Sequence, residues 1–349
     1  MQNAKLKTKI CNLQFAFDQR GFTLVELLVA MAIASVIGMA GVSLFSTSNW
    51  AYKVNEDVAE AQQNGRVSLD RLAKDIRTAG FGLPDPPFTL SIGGQNWTSP
   101  ITVTTSGGSG GPDSITILGI GYEAGTLEND ADNNGTEDDN TCNGGADSKI
   151  CLDSVDPSTN SFFSSDLTTF KTSRMYISLN GSTFIELSNT QTERAAGKLA
   201  LGTPSTLDRL YPDGTPVYII QAVTYSIETT GVGCSSSNPC LKSNDLTELR
   251  GSGTQTIAEN IEDIQFAYGV DADRDGNMDS STLSNDPADD SSILAVRAWV
   301  VAMTRNRDMK GSTFTRPVIE DHSASASDNY RRRILTKIIK LRNPRTGGS

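Results

Sequence analysis

The sequence has few of the residues that catalysis or nucleic-acid binding requires. One histidine, His322, occurs in 349 residues, and neither a GxSxG nor an HExxH motif is present, so a nucleophile with its base and a zinc hydrolase centre both lack essential parts. Acidic residues outnumber basic residues by 41 to 30, and the formal net charge is -11. Because binding to phosphates needs a lysine- and arginine-rich surface, this balance argues against a nucleic-acid partner. We expect a protein that is not an enzyme.

A second long apolar run is also missing, which limits the chain to one predicted membrane segment. Residues 22–45 carry no charge except Glu26, and at ~1.5 Å per residue they span roughly 36 Å as a helix, enough for a bilayer. The charged residues before this run are mainly basic: Lys5, Lys7, Lys9 and Arg20 against Asp18. The positive-inside bias therefore predicts an inner-membrane protein with a cytoplasmic N-terminus and a periplasmic remainder.

Cysteine is scarce too, and its five copies are unevenly placed. Cys11 precedes the apolar run, whereas the other four form two close pairs, Cys142 with Cys151 and Cys234 with Cys240. Neither pair has CxxC spacing, which argues against a zinc site. Close pairs suit short disulfide loops in an oxidising compartment, the periplasm or the cell surface, with free buried thiols as the alternative.

The junction before the apolar run is the most distinctive motif. Arg20 and Gly21 lead into Phe22 and the run GFTLVELLVAMAI, with Glu26 five positions after the glycine. This junction resembles the class III signal of type IV pilins and of type II secretion pseudopilins. The resemblance implies that a prepilin peptidase cleaves after Gly21 and N-methylates Phe22.

The same resemblance gives Glu26 a role in assembly. An ionised side chain inside hydrocarbon costs several kcal/mol unless it finds a partner. In pilins the matching carboxylate is thought to pair with the N-terminal amine of a neighbouring subunit, and cleavage would create that amine on Phe22. The alternative is that Glu26 only balances the helix dipole.

Beyond residue 50 the apolar pattern changes from continuous to periodic. Apolar or small residues recur at steps of three and four from Val54 to Ala79, which predicts an amphipathic helix that packs one face on a head. Gly80, Gly82 and Pro84 then end the helix. Later apolar runs predict β-strands separated by polar loops: residues 115–120, 175–179, 217–227, 263–270, 293–303 and 333–341.

These features together predict an α+β, type IV pilin-like fold. A long N-terminal helix, first transmembrane and then amphipathic, packs on an antiparallel β-sheet head with long loop insertions. We expect four regions: a cleaved leader at 1–21, a transmembrane and assembly helix at 22–45, an amphipathic helix at 46–80, and a β-rich periplasmic or extracellular head at 81–349.

The last third of the chain carries a second resemblance. AENIEDIQFAYGVDADRDGNMD is followed by ILAVRAWVVAMTRNRD and RRRILTKIIKLRNPR, which closes on Arg342 and Asn343, and AGFG follows the amphipathic helix at 79–82. This order resembles PilW-type minor pilins, which are similar to the J-type pseudopilin of type II secretion. It implies a low-abundance subunit that primes pilus assembly or stays at the tip, on the cell surface. The implied partners are major and minor pilins, a large tip adhesin, the prepilin peptidase and the assembly platform.

Two acidic loops have the spacing of calcium ligands. Position 12, where an EF-hand has glutamate, is Thr282 in the later loop, so a solvated turn is the alternative to a structural Ca²⁺ site. The candidate ligands of that loop are Asp271, Asp273, Asp275 and Asp279, and those of the earlier loop are Asp130, Asp132, Asn134 and Asp138.

The basic C-terminal tail, residues 331–342, could by itself suggest a nucleic-acid site. Its arginines and lysines alternate with isoleucine and leucine. This interleaving favours a strand that faces the acidic head.

Overall fold

The fold is α+β, with one long apolar N-terminal helix and antiparallel sheets, as the sequence predicts. A computed structural model describes residues 23–84, 88–104, 110–128, 148–152, 175–188, 198–207, 209, 211–247, 254–273, 275–287, 289–325 and 327–342. The chain divides into two compact units, one up to Lys53 and one from Val54 onward.

Helix α1 runs from Leu24 to Thr78 and has two different surfaces along its length. Its N-terminal part is apolar, with a mean hydropathy of 2.3 over 18 residues and no buried residue in that window. From Val54 onward, the helix buries one stripe in the core of its unit: Ala61, Gly65, Ser68, Leu69, Leu72, Ala73 and Ile76. The three- and four-residue steps of this stripe are those of an amphipathic helix.

The end of α1 is set by glycines with left-handed backbone. Gly80 and Gly82 have φ of 79° and 78°, values that side chains with a Cβ rarely adopt. The N–H of Gly80 donates to the carbonyl of Leu118 at 2.8 Å. This bond fixes the end of the helix to the sheet.

Fourteen strands lie in the described part of the chain, all in antiparallel pairs. They are β1 (Leu90–Ile92), β2 (Gln95–Trp97), β3 (Ile101–Thr104), β4 (Ser114–Thr126), β5 (Lys149–Cys151), β6 (Tyr176–Leu179), β7 (Thr183–Leu187), β8 (Lys198–Thr203), β9 (Pro216–Glu228), β10 (Cys240–Asp245), β11 (Thr254–Glu259), β12 (Ile261–Val270), β13 (Ile293–Met303) and β14 (Arg332–Lys340).

These strands form a large sheet, a smaller sheet and a two-stranded hairpin. The large sheet has nine strands, and β9 lies at its centre, with β4 along one edge and β10 and β6 along the other. Strand β11 pairs with β10. The smaller sheet has the order β12-β13-β14, and β1 pairs with β2.

The main core joins the second part of α1 to both sheets. It contains Leu72 and Ile76 of the helix, Tyr225 of β9, and Phe266 of β12. The helix lies against β14 at Gly65, where an added Cβ would lie 2.6 Å from Leu335 Cδ1. A side chain at position 65 would therefore require Leu335 to shift.

Candidate functional site

The start of α1 is a reciprocal capping arrangement between Thr23 and Glu26. The backbone N–H and the hydroxyl of Thr23 each donate to Glu26 Oε2 at 2.9 Å, and the N–H of Glu26 donates to Thr23 Oγ1 at 3.3 Å. Threonine followed three residues later by glutamate is the sequence signature of a capping box. The TxxE spacing is the sequence signal for this arrangement, which neither dipole compensation nor subunit pairing predicts.

The capping box leaves one oxygen of Glu26 available. Both bonds from Thr23 reach Oε2, and no residue within the described ranges donates to Oε1. Capping within the subunit and pairing with a second group are therefore compatible. The predicted cleavage residues Gly21 and Phe22 lie outside the described residues.

The later acidic loop follows β12 and brings three of its four predicted ligands together. Carboxylate oxygens of Asp271, Asp273 and Asp275 lie within 4.8 Å of one another. Both oxygens of Asp271 also accept backbone bonds, from Asp275 at 3.0 Å and from Gly276 at 2.9 Å. Asp279 is outside this group, and its Oδ2 accepts the N–H of Ala272 at 2.7 Å.

Electrostatic repulsion is visible in this loop at Asp273. The N–H of Asp275 lowers the pKa of Asp273, but desolvation, the charges of Asp275 and Asp279 and the side-chain hydrogen bond with Asp271 outweigh this effect, so the pKa is raised. A bound cation would relieve this repulsion. The earlier loop, with Asp130, Asp132, Asn134 and Asp138, lies outside the described residues.

One of the two predicted cysteine pairs lies within the described ranges. Cys234 and Cys240 form a disulfide bond with their Cα atoms 5.6 Å apart, which closes the turn that leads into β10. Cys142 lies outside the described residues, so its pairing with Cys151 stays a prediction.

A buried ionic cluster around Asp263, which the sequence patterns do not predict, includes the single histidine of the chain, His322. Asp263 on β12 is fully buried, and its Oδ2 accepts from Arg316 Nη1 at 2.9 Å and from His322 Nδ1 at 2.7 Å. Gln265 Nε2 donates to Oδ1 at 2.9 Å. Burial raises the pKa of Asp263, while Gln265, His322 and Arg316 oppose the rise. The cluster ties the segment 316–322 to β12.

The basic tail forms β14, an edge strand of the smaller sheet. Arg332 pairs with Glu262 at 2.6 Å and with Asp328 at 2.5 Å. Lys337 pairs with Asp70 of α1 at 3.2 Å. These charges of the tail therefore face acidic groups of the same chain.

Two family models match the chain, one at each end. The prokaryotic N-terminal methylation motif matches residues 17–42, which include Gly21, Phe22 and Glu26. The family described as type IV pilus-assembly protein W matches residues 224–343, which include β10 to β14. Together these matches support a type IV minor pilin. Pilin-family proteins are structural, and the resemblance to PilW-type minor pilins is confirmed.

A curated relative agrees with the family matches over a shorter length. The pilin-like protein PilA3 of Thermus thermophilus is 33% identical over 100 residues, which cover 25% of this chain and 43% of the relative. The chain therefore matches less than half of that protein's length. No solved structure matches the chain significantly.

Proposed function

We propose that this chain is a minor pilin of a type IV pilus, matured by a prepilin peptidase and built into a complex that primes filament assembly or stays at the filament tip. One observation carries the proposal: a methylation motif at residues 17–42 and a PilW match at residues 224–343 occur on one chain. The partners would be major and minor pilins, the peptidase, the assembly platform and a large tip adhesin.

Maturation supplies the positive group that Glu26 needs. Cleavage between Gly21 and Phe22 removes the leader and creates an amine on Phe22, which the peptidase then methylates. Glu26 Oε2 is held by Thr23, and Oε1 is the oxygen that pairs with the amine of a neighbouring subunit. This pairing offsets the cost of an ionised carboxylate in hydrocarbon.

We propose the same order of regions as the sequence predicts: leader, membrane helix, amphipathic helix and head. The N-terminus lies in the cytoplasm, α1 anchors the chain in the inner membrane, and the head lies in the periplasm until the subunit enters a filament. The apolar part of α1 is long enough to cross a bilayer.

Deletion of the gene tests the pilus role against a secretion role, because type II secretion pseudopilins share the N-terminal signal. We expect deletion to remove surface pili, seen by electron microscopy, and to leave protein export unchanged. The wild-type gene should restore the pili. Lost export with normal pili would instead indicate a J-type pseudopilin. Normal piliation with weak attachment after deletion of 127–151 would indicate an adhesive tip subunit.

We also propose that the loop after β12 binds a structural Ca²⁺ ion. The support is the ligand spacing and the approach of Asp271, Asp273 and Asp275. Calcium prefers oxygen ligands of this kind. Asp279 would have to turn from the N–H of Ala272 to join them.

A further inference from the structure

A cleft of about 400 Å³ lies beside the C-terminal turns of α1, on the face of the large sheet. The helix contributes Arg71 and Lys74, and the neighbouring strands contribute Gln221, Ser243 and Gln255. Ile117 and Val223 supply apolar lining. The cleft lies entirely within the unit that begins at Val54.

The two carboxylates of the cleft already have partners. Asp75 accepts from the phenol of Tyr225 and forms an ion pair with Arg71, whose Nε lies 3.2 Å from Asp75 Oδ2 and donates to the Tyr225 hydroxyl at 3.1 Å. Burial raises the pKa of Tyr225, which keeps its hydroxyl as a donor. Asp245 accepts from Gln221 Nε2 at 3.0 Å and from the N–H of Thr247 at 2.9 Å.

One cation of the cleft, the side chain of Lys74, has no partner among the described residues. The ammonium group of Lys74 forms no ion pair or hydrogen bond with any residue in the described ranges, and it lines the cleft together with the exposed guanidinium of Arg71. An ammonium group next to apolar lining is suited to a carboxylate ligand.

The border of the cleft indicates that the carboxylate comes from a polypeptide. Gln255 belongs to β11, which pairs with β10 and has no second strand partner among the described strands. Thr254, Gln255 and Thr256 are exposed. An extended segment that pairs with such an edge places alternate side chains on the sheet face.

We propose that the cleft and the free edge of β11 bind an extended acidic segment of a partner protein, whose carboxylate pairs with Lys74. This site adds a head contact to the contacts made by the N-terminal helix. Only the identity of the partner, another filament subunit, rests on the proposed function.

Calorimetry with the full-length protein in detergent tests the site. The probe is the peptide acetyl-Val-Glu-Val-Glu-Val-amide, and its matched control carries glutamine in place of glutamate. We expect the glutamate peptide to bind up to about fivefold more tightly than the control, as one ion pair at a partly exposed site provides. Lys74→Gln should remove that difference. Lys340→Gln, which removes the same charge from an exposed position on β14, should keep the difference in affinity between the two peptides.

Other results would overturn the proposal. The proposal is wrong if neither peptide binds, if both peptides bind equally, or if Lys340→Gln loses the preference for the glutamate peptide as Lys74→Gln does. Two further probes examine the partner class: free glutarate binding as tightly as the peptide would show a small-anion site, and an N-methylated peptide binding as tightly as the unmodified one would exclude strand pairing. Failure of the site would leave the deletion test of the proposed function unaffected, since that test reads pili rather than peptide binding.

Discussion

Glu26 caps the start of α1 and has a second, proposed role in subunit pairing. One substitution can separate the two roles, because glutamine can complete a capping box and carries no charge. Glu26→Gln should keep the start of α1 intact and still remove the ion pair with a neighbouring amine. Glu26→Ala should lose both the cap at the start of α1 and the ion pair. If pairing drives assembly, we expect both variants to be cleaved after Gly21 and to enter sheared filaments at less than a tenth of the wild-type level, measured by immunoblot against the membrane fraction.

The glutamine variant is the decisive one. Normal incorporation of Glu26→Gln beside defective Glu26→Ala would mean that capping alone matters. Thr23→Ala is the matched control, because it removes the other half of the box and leaves the carboxylate. We expect it to destabilise the helix start by about 1 kcal/mol and to enter filaments.

Asp328 gives the head a predictable acid dependence of stability. The hydrogen bonds from Arg332 hold the pKa of Asp328 below its usual range. Ionised Asp328 therefore stabilises the fold at pH values above its unfolded pKa of about 3.9. This stabilisation is lost as the pH falls through the lower pKa of the folded state.

Asp328→Asn should consequently reduce stability more at pH 6 than at pH 3. At pH 6 the variant should lose about 1 kcal/mol or less of its free energy of unfolding, since the carboxylate is partly exposed. Chemical unfolding of the full-length protein in detergent, followed by tryptophan fluorescence, measures both values. Asp213→Asn, in an exposed turn, is the control. Equal losses at the two pH values would contradict the assigned role of Asp328.

Residue patterns do not predict contacts between side chains that are far apart in the sequence. The capping pair of Thr23 and Glu26 is local, and the three-residue spacing predicts it. The cluster of Asp263, Arg316 and His322 joins β12 to a segment more than fifty residues later. The one available signal was a carboxylate inside an apolar strand, which needs a buried partner, but that rule does not say which residue supplies it.

At the scale of elements, the loop after β12 is where calcium should act. Extracellular calcium sites have Kd values of about 10⁻⁴–10⁻³ M, so 10 mM calcium should stabilise the folded chain by about 1–3 kcal/mol. We expect the thermal midpoint of the full-length protein to rise with calcium relative to EDTA. Asp273→Asn, at an exposed ligand, should weaken this response.

Magnesium at the same concentration serves as the control for general charge screening, because it demands a stricter octahedral geometry. Equal midpoints in calcium and EDTA would argue against a site in either acidic loop. A response that survives in Asp273→Asn would argue against the loop after β12.

Some strands can be predicted from apolar runs in the sequence, whereas others form only because they pair with neighbouring strands. All six predicted runs coincide with strands, namely β4, β6, β9, β12, β13 and β14. Polar strands were missed, such as β10 with the sequence CLKSND and β11 with TQTIAE. Their apolar content is too low for a period-2 signal, and pairing with β9 and with each other forms them.

At the scale of the whole molecule, the distribution of charge and cysteine predicts one orientation. The predicted leader holds four basic residues and one acidic residue, so the proposed cleavage would take away a net charge of +3 and leave a more acidic mature chain. Basic residues beside a membrane segment stay in the cytoplasm. The disulfide between Cys234 and Cys240 is of the kind that persists in oxidising compartments.

Orientation can be measured within one chain, since Cys11 precedes the apolar segment in the sequence and the disulfide follows it. Cells denatured without reductant and treated with a maleimide should label Cys11 of the uncleaved precursor and leave Cys234 and Cys240 unlabelled until dithiothreitol is added. Alkaline phosphatase, which needs disulfides to fold, should be active when fused after Ser349 and inactive when fused after Arg20. Labelling of Cys234 without reductant, together with an inactive C-terminal fusion, would place the head in the cytoplasm, where a filament subunit could not assemble.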